Sequence, residues 1–233
     1  MCGRFVSASP PDQIARYFDA VPDGERTLEP SYNVAPSNDV YAVLSDGGVR
    51  KLETLHWGLV PFWAKDPSVG NRMINARAET LADKPAYRRA FRKRRCIIPA
   101  DGFYEWQKIP GQKHKQPMFM HRADGEPMAF AGLWEVWRPK ERPEEELHSC
   151  TIITGLPNEK VAPVHDRMPV ILPATTWDQW LSPEVDDVDL LGSFLVPAPS
   201  SLIDLYPVST EVNSVRNKGA SLMERVDPEA ASP

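Results

Sequence analysis

The sequence predicts an α+β fold: a single domain with a mainly antiparallel, barrel-like β core and several short peripheral helices. Three observations lead to this prediction. Short apolar runs alternate with turn residues along the whole chain, as they do in sheets built from many short strands. The 24 prolines are spread throughout, which disfavours long helices. The 233 residues suffice for a substantial core, and no repeat or linker divides them.

Four short segments have the apolar spacing of a helix. In the first, prolines stand at the start, where a helix tolerates them, and Ile14, Tyr17 and Phe18 share one face. The second is expected to be capped near Thr80 or Asp83. The predicted helices cover residues 10–18, 85–94, 175–181 and 188–195.

Apolar runs bounded by turn residues predict the strands. Asp46-Gly47-Gly48 lies between two such runs and indicates a hairpin. A second hairpin tip is expected at residues 110–116, and residues 32–36 and 138–146 are expected to be loops. The predicted strands cover residues 40–44, 49–56, 96–99, 117–121, 128–137, 149–154, 169–172 and 202–208.

The domain is expected to cover residues 1–226, followed by a disordered tail at 227–233. No apolar run approaches the roughly 18 residues of a membrane span, and the N-terminus lacks the pattern of a secretory signal, so no membrane partner is expected. Three cysteines without paired spacing predict no disulfide framework. We therefore expect a cytoplasmic protein, and a monomer, since no oligomerisation signal is present.

Charge is distributed unevenly along the chain. The formal net charge of the chain is −5. The segment from Arg72 to Arg95, however, contains nine basic and two acidic residues, a local net charge of +7. Such asymmetry is typical of a phosphate-binding surface. The alternative is a solvated basic helix face. Four tryptophans by default belong to the core but would stack on bases if exposed; they are Trp63, Trp106, Trp134 and Trp137.

The first two residues carry the most unusual chemistry in the chain. If Met1 is removed, Cys2 exposes a free α-amine beside its thiol, a 1,2-aminothiol. The amine condenses with an aldehyde to an imine, and the thiol then closes a five-membered thiazolidine ring. Because an α-amine titrates near pH 7.7–8.0, a useful fraction of it is neutral at pH 7. The alternative is a cysteine in a frayed terminus.

Four further side chains are candidates for the chemistry or for contact with phosphate. Asn75 offers donors and an acceptor for orienting a substrate, or it caps a turn. Glu105 is flanked by aromatic residues that would desolvate it and raise its pKa, or it faces solvent. His165 carries protons near neutral pH, or it is a hydrogen-bonded loop residue. Arg77 offers a bidentate phosphate contact, or it pairs with Glu79.

No cofactor or metal site is expected. The cysteines and histidines lack metal-ligand spacing, and the sequence has neither a glycine-rich phosphate loop nor a GxSxG motif. Cys96 and Cys150 lie in apolar runs and are interpreted as small buried hydrophobes.

Seven sequence blocks, taken together, resemble one known family. The chain is similar over about residues 2–222 to the SOS-response-associated peptidase (SRAP) domain family. No presumed catalytic position departs from the pattern. The blocks are MCGRF at 1–5, YNVAP at 32–36, WGLVPFWAKD at 57–66, INARAET at 74–80, RRCIIPADGFYEW at 94–106, HDRMPV at 165–170 and VNSVRNKG at 212–219.

The resemblance implies a DNA damage response protein that removes its own Met1 and forms a reversible thiazolidine crosslink with abasic sites in single-stranded DNA, junctions with duplex included. Such a protein would associate with damaged nucleoid DNA. By motif match Cys2 is the nucleophile, Asn75 orients the sugar or the amine, Glu105 is the general acid–base, and His165 assists ring opening and crosslink reversal. The implied DNA contacts are Arg4, Arg77, Thr154, Arg167, Trp63 and Trp106.

Two other functions stay open at the level of the sequence. An N-terminal-nucleophile cysteine peptidase would use the same Cys2 to attack the peptide carbonyls of other polypeptides. A single-strand-binding module would have no covalent chemistry, and Cys2 would be incidental.

Overall fold

The computed structural model describes residues 2–24, 26–142 and 144–227. Residues 228–233 of the expected disordered tail lie outside this part. The described strands are β1 (Phe5–Ser7), β2 (Val21–Pro22), β3 (Ser31–Val34), β4 (Asp39–Asp46), β5 (Val49–Trp57), β6 (Asn75–Arg77), β7 (Arg95–Ala100), β8 (Gly102–Gln107), β9 (Gln116–Arg122), β10 (Met128–Trp137), β11 (Leu147–Gly155), β12 (Met168–Pro169) and β13 (Ile203–Pro207). The described α-helices are α1 (Pro11–Tyr17), α2 (Arg88–Lys93), α3 (Trp177–Leu181) and α4 (Val188–Ser193).

Five strands close into a barrel. They pair in the order β7-β4-β5-β11-β10, and β10 returns to β7. Four of these contacts are antiparallel; the contact between β5 and β11 is parallel, with His56 opposite Ser149 and Trp57 opposite Cys150. The predicted α+β fold with a mainly antiparallel, barrel-like core is confirmed.

A second, antiparallel sheet brings the N-terminus onto the barrel. Its strand order is β13-β9-β8-β1-β3. Strand β1 lies between β8 and β3, so that Phe5 is opposite both Phe103 and Val34. The fully buried Phe5 ring contacts Trp57 edge-on, with ring centroids 5.1 Å apart. This contact joins β1 to the barrel and fixes the segment that precedes it.

The predicted β4–β5 hairpin is present. Its two central residues, Gly47 and Gly48, have φ angles of 57° and 85°, the conformation of a type I′ turn, which glycine adopts without strain. The predicted helices are also found, each slightly shorter than expected.

Some local predictions were wrong. Part of the segment expected to be a loop at 32–36 belongs to β3, because Val34 pairs with Phe5. The cap expected near Thr80 or Asp83 is absent. Ala78–Thr80 forms a separate 3-10 turn, α2 begins only after Tyr87, and no side chain caps it. None of the four tryptophans expected in the core is fully buried: Trp63 is 55% exposed, and Trp106, Trp134 and Trp137 are half-buried. The fully buried ones are Trp57 and Trp180.

Among the described helices, none has both the length and the apolar character that crossing a bilayer requires.

Candidate active site

Cys2 is fully buried at the start of the second sheet. The segment that contains it continues the pairing of β1 with β8, since the Tyr104 N–H donates to the Arg4 carbonyl oxygen at 3.0 Å. The interpretation of Cys2 as part of a frayed terminus is therefore wrong. Burial, and then the charge of Glu105, raise the pKa of the thiol well above its ordinary value. The thiol is accordingly protonated at neutral pH.

Asn75 holds the main chain of Cys2. It lies on β6, which pairs in parallel with β11. Its Nδ2 donates to the Cys2 carbonyl oxygen at 2.8 Å. Its Oδ1 is buried and has no hydrogen-bond partner among the described residues. Since a buried amide oxygen without a donor is costly, Asn75 presents a ready acceptor beside Cys2.

Glu105 lies on β8 and faces inward. The residue is only 3% exposed, so the solvent-facing alternative is wrong. Burial raises the pKa of this carboxyl above its ordinary value. A carboxyl with a raised pKa is suited to giving and taking protons near neutral pH.

His165 lies opposite Glu105, in the loop that leads to β12. Its Nε2 is 3.8 Å from Glu105 Oε2. Its Nδ1 lies 3.0 Å from the Arg167 main-chain nitrogen and 3.2 Å from the Arg167 carbonyl oxygen, and Nε2 is the ring nitrogen that faces Glu105. The Asp166 carboxylate lies 3.0 Å from Nδ1 and provides a partner for the protonated ring. The side chain is 22% exposed.

Arg167 forms a bidentate ion pair with Glu79, with N···O distances of 2.6 and 2.9 Å. It also donates to the Thr154 carbonyl oxygen at 2.5 Å. The sequence alternative that paired Glu79 with Arg77 therefore names the wrong arginine. Thr154 is fully buried, and its hydroxyl has no hydrogen-bond partner in the described part of the chain. Like Asn75 Oδ1, it is an unsatisfied polar atom on the β6–β11 ladder.

Arg77 is exposed and lies opposite Thr154 in the parallel pairing of β6 with β11. It makes no hydrogen bond or ion pair with any other described residue. Since Asn75 and Arg77 are two residues apart on one strand, their side chains leave the strand on the same side. Arg77 is thus an exposed cation next to the residue that holds Cys2, and its charge also helps to lower the pKa of Glu79.

Arg4 and Trp106 hold the loop that follows Val212. The Arg4 guanidinium donates to Asn33 Oδ1 at 3.0 Å and to the Val212 carbonyl oxygen at 2.8 Å. It also lies 5.8 Å from the centre of the Trp106 ring, whose Nε1 donates to Asn213 Oδ1 at 2.6 Å. These two side chains, both expected to contact DNA, are thus half-buried and engaged with the protein.

Trp63 lies apart from this cluster. It is one wall of a cleft of about 500 Å³ that also includes Trp137 and Arg138. Neither Cys2 nor its hydrogen-bond partner lines this cleft.

The basic stretch from residue 72 to 95 does not form one continuous patch. Arg95 is buried and donates to main-chain carbonyls of the segment 180–185. Arg94 pairs with Glu135, and Lys93 with Asp186. Exposed cations remain nearer its start, as Arg77 illustrates. Of the nine basic side chains, Lys93 and Arg94 are paired with carboxylates and Arg95 is buried against main-chain carbonyls, so the C-terminal end of this stretch does not contribute to a phosphate-binding surface.

Sequence reasoning missed Asn33, which is fully buried. Its Nδ2 lies within hydrogen-bond distance of three carbonyl oxygens of one loop, at 3.0 to 3.2 Å; they belong to Val212, Ser214 and Asn217. Asn33 thereby joins the YNVAP and VNSVRNKG blocks. An asparagine within an otherwise apolar strand run was the available signal.

In the described part of the chain no three His, Cys, Asp or Glu side chains are arranged to hold a metal ion.

Comparison with known proteins gives consistent matches over nearly the whole chain. The family model described as SOS response associated peptidase (SRAP) matches residues 1–215. The chain is 46% identical over 227 residues to the abasic site processing protein YoqW of Bacillus subtilis, covering 96% of this chain and 99% of YoqW. It is 34% identical to the abasic site processing protein YedK of Escherichia coli, and the match covers 97% of this chain and 100% of YedK.

Two relatives extend the comparison. The abasic site processing protein HMCES of Xenopus tropicalis is 29% identical, covering 97% of this chain and 78% of HMCES. A crystal structure of a protein from Bacteroides thetaiotaomicron is similar, with a TM-score of 0.86 at 24% identity. The match covers 97% of this chain and 100% of that protein's chain. The latter supports the fold alone.

Proposed function

This chain belongs to the SOS response associated peptidase (SRAP) family, and we propose that it binds single-stranded DNA at abasic sites and couples to them covalently through Cys2. The names of its relatives support DNA lesion processing. The observation that carries the covalent step is the position of Cys2, buried against the Asn75 amide and within the field of the Glu105 carboxyl. The crosslink shields the lesion in the response to DNA damage.

The first step is removal of Met1 by the protein itself. Water adds to the Met1 carbonyl carbon, the peptide bond to Cys2 breaks, and the Cys2 nitrogen becomes a free α-amine. Asn75 keeps the Cys2 main chain in place through the 2.8 Å hydrogen bond to its carbonyl oxygen. The reactive 1,2-aminothiol therefore arises at a position that the fold has already fixed.

The second step joins the amine to the ring-opened sugar. The amine nitrogen attacks the C1′ aldehyde and gives a carbinolamine. The unsatisfied Asn75 Oδ1 accepts an N–H of the amine and directs its lone pair at the aldehyde. Glu105, whose pKa is raised by burial, protonates the carbinolamine hydroxyl, which leaves as water, and its carboxylate then takes the proton from nitrogen, so that a neutral imine remains.

The third step closes the ring. The Cys2 sulfur adds to the imine carbon, and the thiol proton ends on the imine nitrogen, so aldehyde and aminothiol yield a thiazolidine and one water. The high pKa of the buried thiol keeps this proton on sulfur until the addition. Glu105 acts on the thiol electrostatically and relays the proton.

His165 supplies the proton transfer that opens the sugar. An abasic sugar is mostly a closed hemiacetal, so a proton must move from the anomeric hydroxyl to O4′ before an aldehyde exists. Nε2 of His165, which faces Glu105 at 3.8 Å, gives and takes this proton. The same transfer in reverse assists release of the crosslink.

The DNA strand lies over Arg77, the exposed cation two residues from Asn75 on the same strand. The Thr154 hydroxyl, buried and unsatisfied, faces the sugar. The site is shaped by the contacts that Arg4, Arg167 and Trp106 make with the protein. When DNA binds, a phosphate replaces the Glu79 carboxylate as the partner of Arg167. Exposed Trp63 stacks on a base where single strand meets duplex. The protein acts as a monomer in the cytoplasm, at damaged nucleoid DNA, without a cofactor.

A denaturing gel tests the proposal. Purified protein is incubated with an oligonucleotide that carries one abasic site, and heat-stable shifted bands are counted. Wild type gives such a band and Cys2→Ala does not. Cys150→Ala, which removes another fully buried thiol, keeps the band. A band that survives in Cys2→Ala, or no band with folded wild type, contradicts the proposal. Cys2-dependent cleavage of unrelated polypeptides would instead support the peptidase alternative.

A further inference from the structure

We propose that residues 108–115, the basic hairpin tip, form a second DNA surface that binds the phosphate backbone flanking the lesion. This inference rests on the proposed function, because it assigns a further contact to the same DNA strand. The tip connects β8 to β9, and β8 is the strand that carries Glu105. It lies outside the segment that holds the strongest basic run of the sequence.

The charge of the basic hairpin tip is of one sign and is unneutralised. Lys108, Lys113, His114 and Lys115 are all exposed. No acidic residue occurs between Trp106 and Ala123 in the sequence. No hydrogen bond or ion pair joins these four side chains to any other described residue. The cations of residues 92–95, by contrast, are engaged within the fold.

The tip has a defined conformation. The Gln112 N–H donates to the Ile109 carbonyl oxygen at 3.2 Å. Between them stand Pro110 and Gly111, the latter with a φ of 83°. Proline followed by glycine of positive φ is the pattern of a type II turn. Below the turn, Gln107 pairs with Gln116 across the two strands. The lysines therefore extend from a closed hairpin.

The base of the hairpin is attached to the active site. Gln107 Nε2 donates to the Pro163 carbonyl oxygen at 3.3 Å, and Pro163 stands two residues before His165. On the same strand Trp106 Nε1 binds Asn213. The direction of the tip is thus fixed relative to both proposed proton carriers, Glu105 and His165.

The distance fits a contact on the flanking strand. Lys108 is three residues beyond Glu105, which corresponds to about 10 Å of extended chain. Successive phosphates of one stacked strand are about 3.4 Å apart along the helix axis. On a strand that follows β8 away from the lesion, Lys108 at the base of the tip therefore lies beside a phosphate about three nucleotides away. On a protein of net charge −5, a local cluster of three lysines also steers DNA to this face.

Binding to DNA that cannot crosslink tests the inference. The ligand is a single-stranded oligonucleotide with a tetrahydrofuran in place of the abasic sugar, which has no aldehyde. Affinity is measured against salt concentration for wild type and for the triple variant Lys108→Gln, Lys113→Gln, Lys115→Gln. With about 0.7 counterions released per single-strand phosphate contact, we expect the slope of log K against log salt to fall by about 2.

A matched triple variant controls for net charge. Arg16→Gln, Lys51→Gln and Lys160→Gln remove the same charge from side chains that are paired with surface carboxylates. We expect this variant to keep the wild-type salt slope. An equal loss in both variants would mean that only net charge matters and would overturn the inference.

Oligonucleotides of increasing length show on which side of the lesion the basic hairpin tip contacts DNA. Oligonucleotides extended stepwise on the 5′ or the 3′ side of the lesion should gain affinity for wild type over the first few nucleotides on one side. The hairpin variant should lose that gain. If wild type binds but the hairpin variant retains both slope and flank dependence, the basic hairpin tip is not a DNA surface and the proposed function is untouched. If wild type binds no DNA at all, the proposed function itself fails.

Discussion

The side-chain amide of Asn75 donates to the main-chain carbonyl oxygen of Cys2 across 2.8 Å, while its own carbonyl oxygen stays buried without a donor. One side chain thus fixes the backbone of the proposed nucleophile and offers an acceptor for the amine that Met1 removal releases. This pairing links β6, which pairs with the barrel strand β11, to the segment that contains Cys2.

Asn75→Ala is expected to slow crosslinking at saturating DNA about 10- to 100-fold, because the amine loses its orienting acceptor and the Cys2 backbone its anchor. The stability loss should be modest, about 1 kcal/mol, since the lost donor bond is offset by removal of an unsatisfied oxygen. Single-turnover crosslinking and urea unfolding measure the two effects. A variant that loses stability but crosslinks at the wild-type rate would show that Asn75 has only a structural role.

Glu105→Gln is expected to slow crosslinking by about 10²- to 10⁴-fold, the usual range for loss of a general acid–base. It should also remove a pH dependence: with wild type the rate falls as pH rises through the raised pKa of Glu105, because the protonated acid disappears. Glu53→Gln is the control. The pKa of Glu53 is likewise raised, mainly by burial, but we expect its variant to keep both the rate and the pH profile.

The same carboxyl should act on stability with a definite sign. Since its folded pKa lies above the unfolded value, the folded state binds more protons between the two, and stability falls as pH rises through that window. Glu105→Gln should therefore raise the unfolding midpoint at pH 7, and the gain should vanish below about pH 4. A midpoint lowered at pH 7 would indicate that the ionised carboxylate is net stabilising.

His165→Ala is expected to impair reaction with the closed sugar but not with an aldehyde that has no ring to open. We expect its rate with abasic DNA to fall about 10²-fold or more, and its rate with a small aliphatic aldehyde to stay near wild type. Release of a preformed crosslink should slow as well. Equal losses with both aldehydes would assign His165 to the condensation step rather than to ring opening.

Arg77→Gln should weaken DNA binding and lower the single-strand salt slope by about 0.7, the value for one phosphate contact. Because Arg77 is exposed and makes no hydrogen bond or ion pair with a described residue, stability should change by less than about 0.5 kcal/mol. Arg16→Gln, which removes an exposed cation paired with Asp12, should leave the slope unchanged. An unaltered slope in Arg77→Gln would argue that this arginine does not meet phosphate.

The fold class and eight of the thirteen described strands could be predicted because apolar runs and turn residues are local signals, whereas the short strands β1, β2, β3, β6 and β8 were not predicted. The β4–β5 hairpin illustrates this, since Gly47 and Gly48 supply the positive φ angles that its turn needs. Barrel closure could not be predicted, because the parallel contact of β5 with β11 joins residues some 90 positions apart and leaves no local pattern. The burial of Arg95 could not be predicted either, because its carbonyl partner Trp180 lies on another element, far away in the sequence.

The candidate site was predictable residue by residue but not as an arrangement. Cys2, Glu105 and His165 stand in recognisable motifs, yet their proximity follows from the pairing of β1 with β8 and from the loop before β12. The partner of Glu79 was misassigned because sequence distance favoured Arg77, whereas the fold brings Arg167 within 2.6 Å. Asn33 was missed for the same reason: its acceptors lie about 180 residues away.

Intact mass spectrometry of the reacted protein tests the central claim most directly. The free protein should lack Met1. After reaction with an abasic oligonucleotide, the adduct should weigh the sum of Met1-free protein and oligonucleotide less one water, and digestion should locate it on the N-terminal peptide that begins with Cys2. An adduct on protein that retains Met1, or one located on any other peptide, would contradict a thiazolidine formed by Cys2.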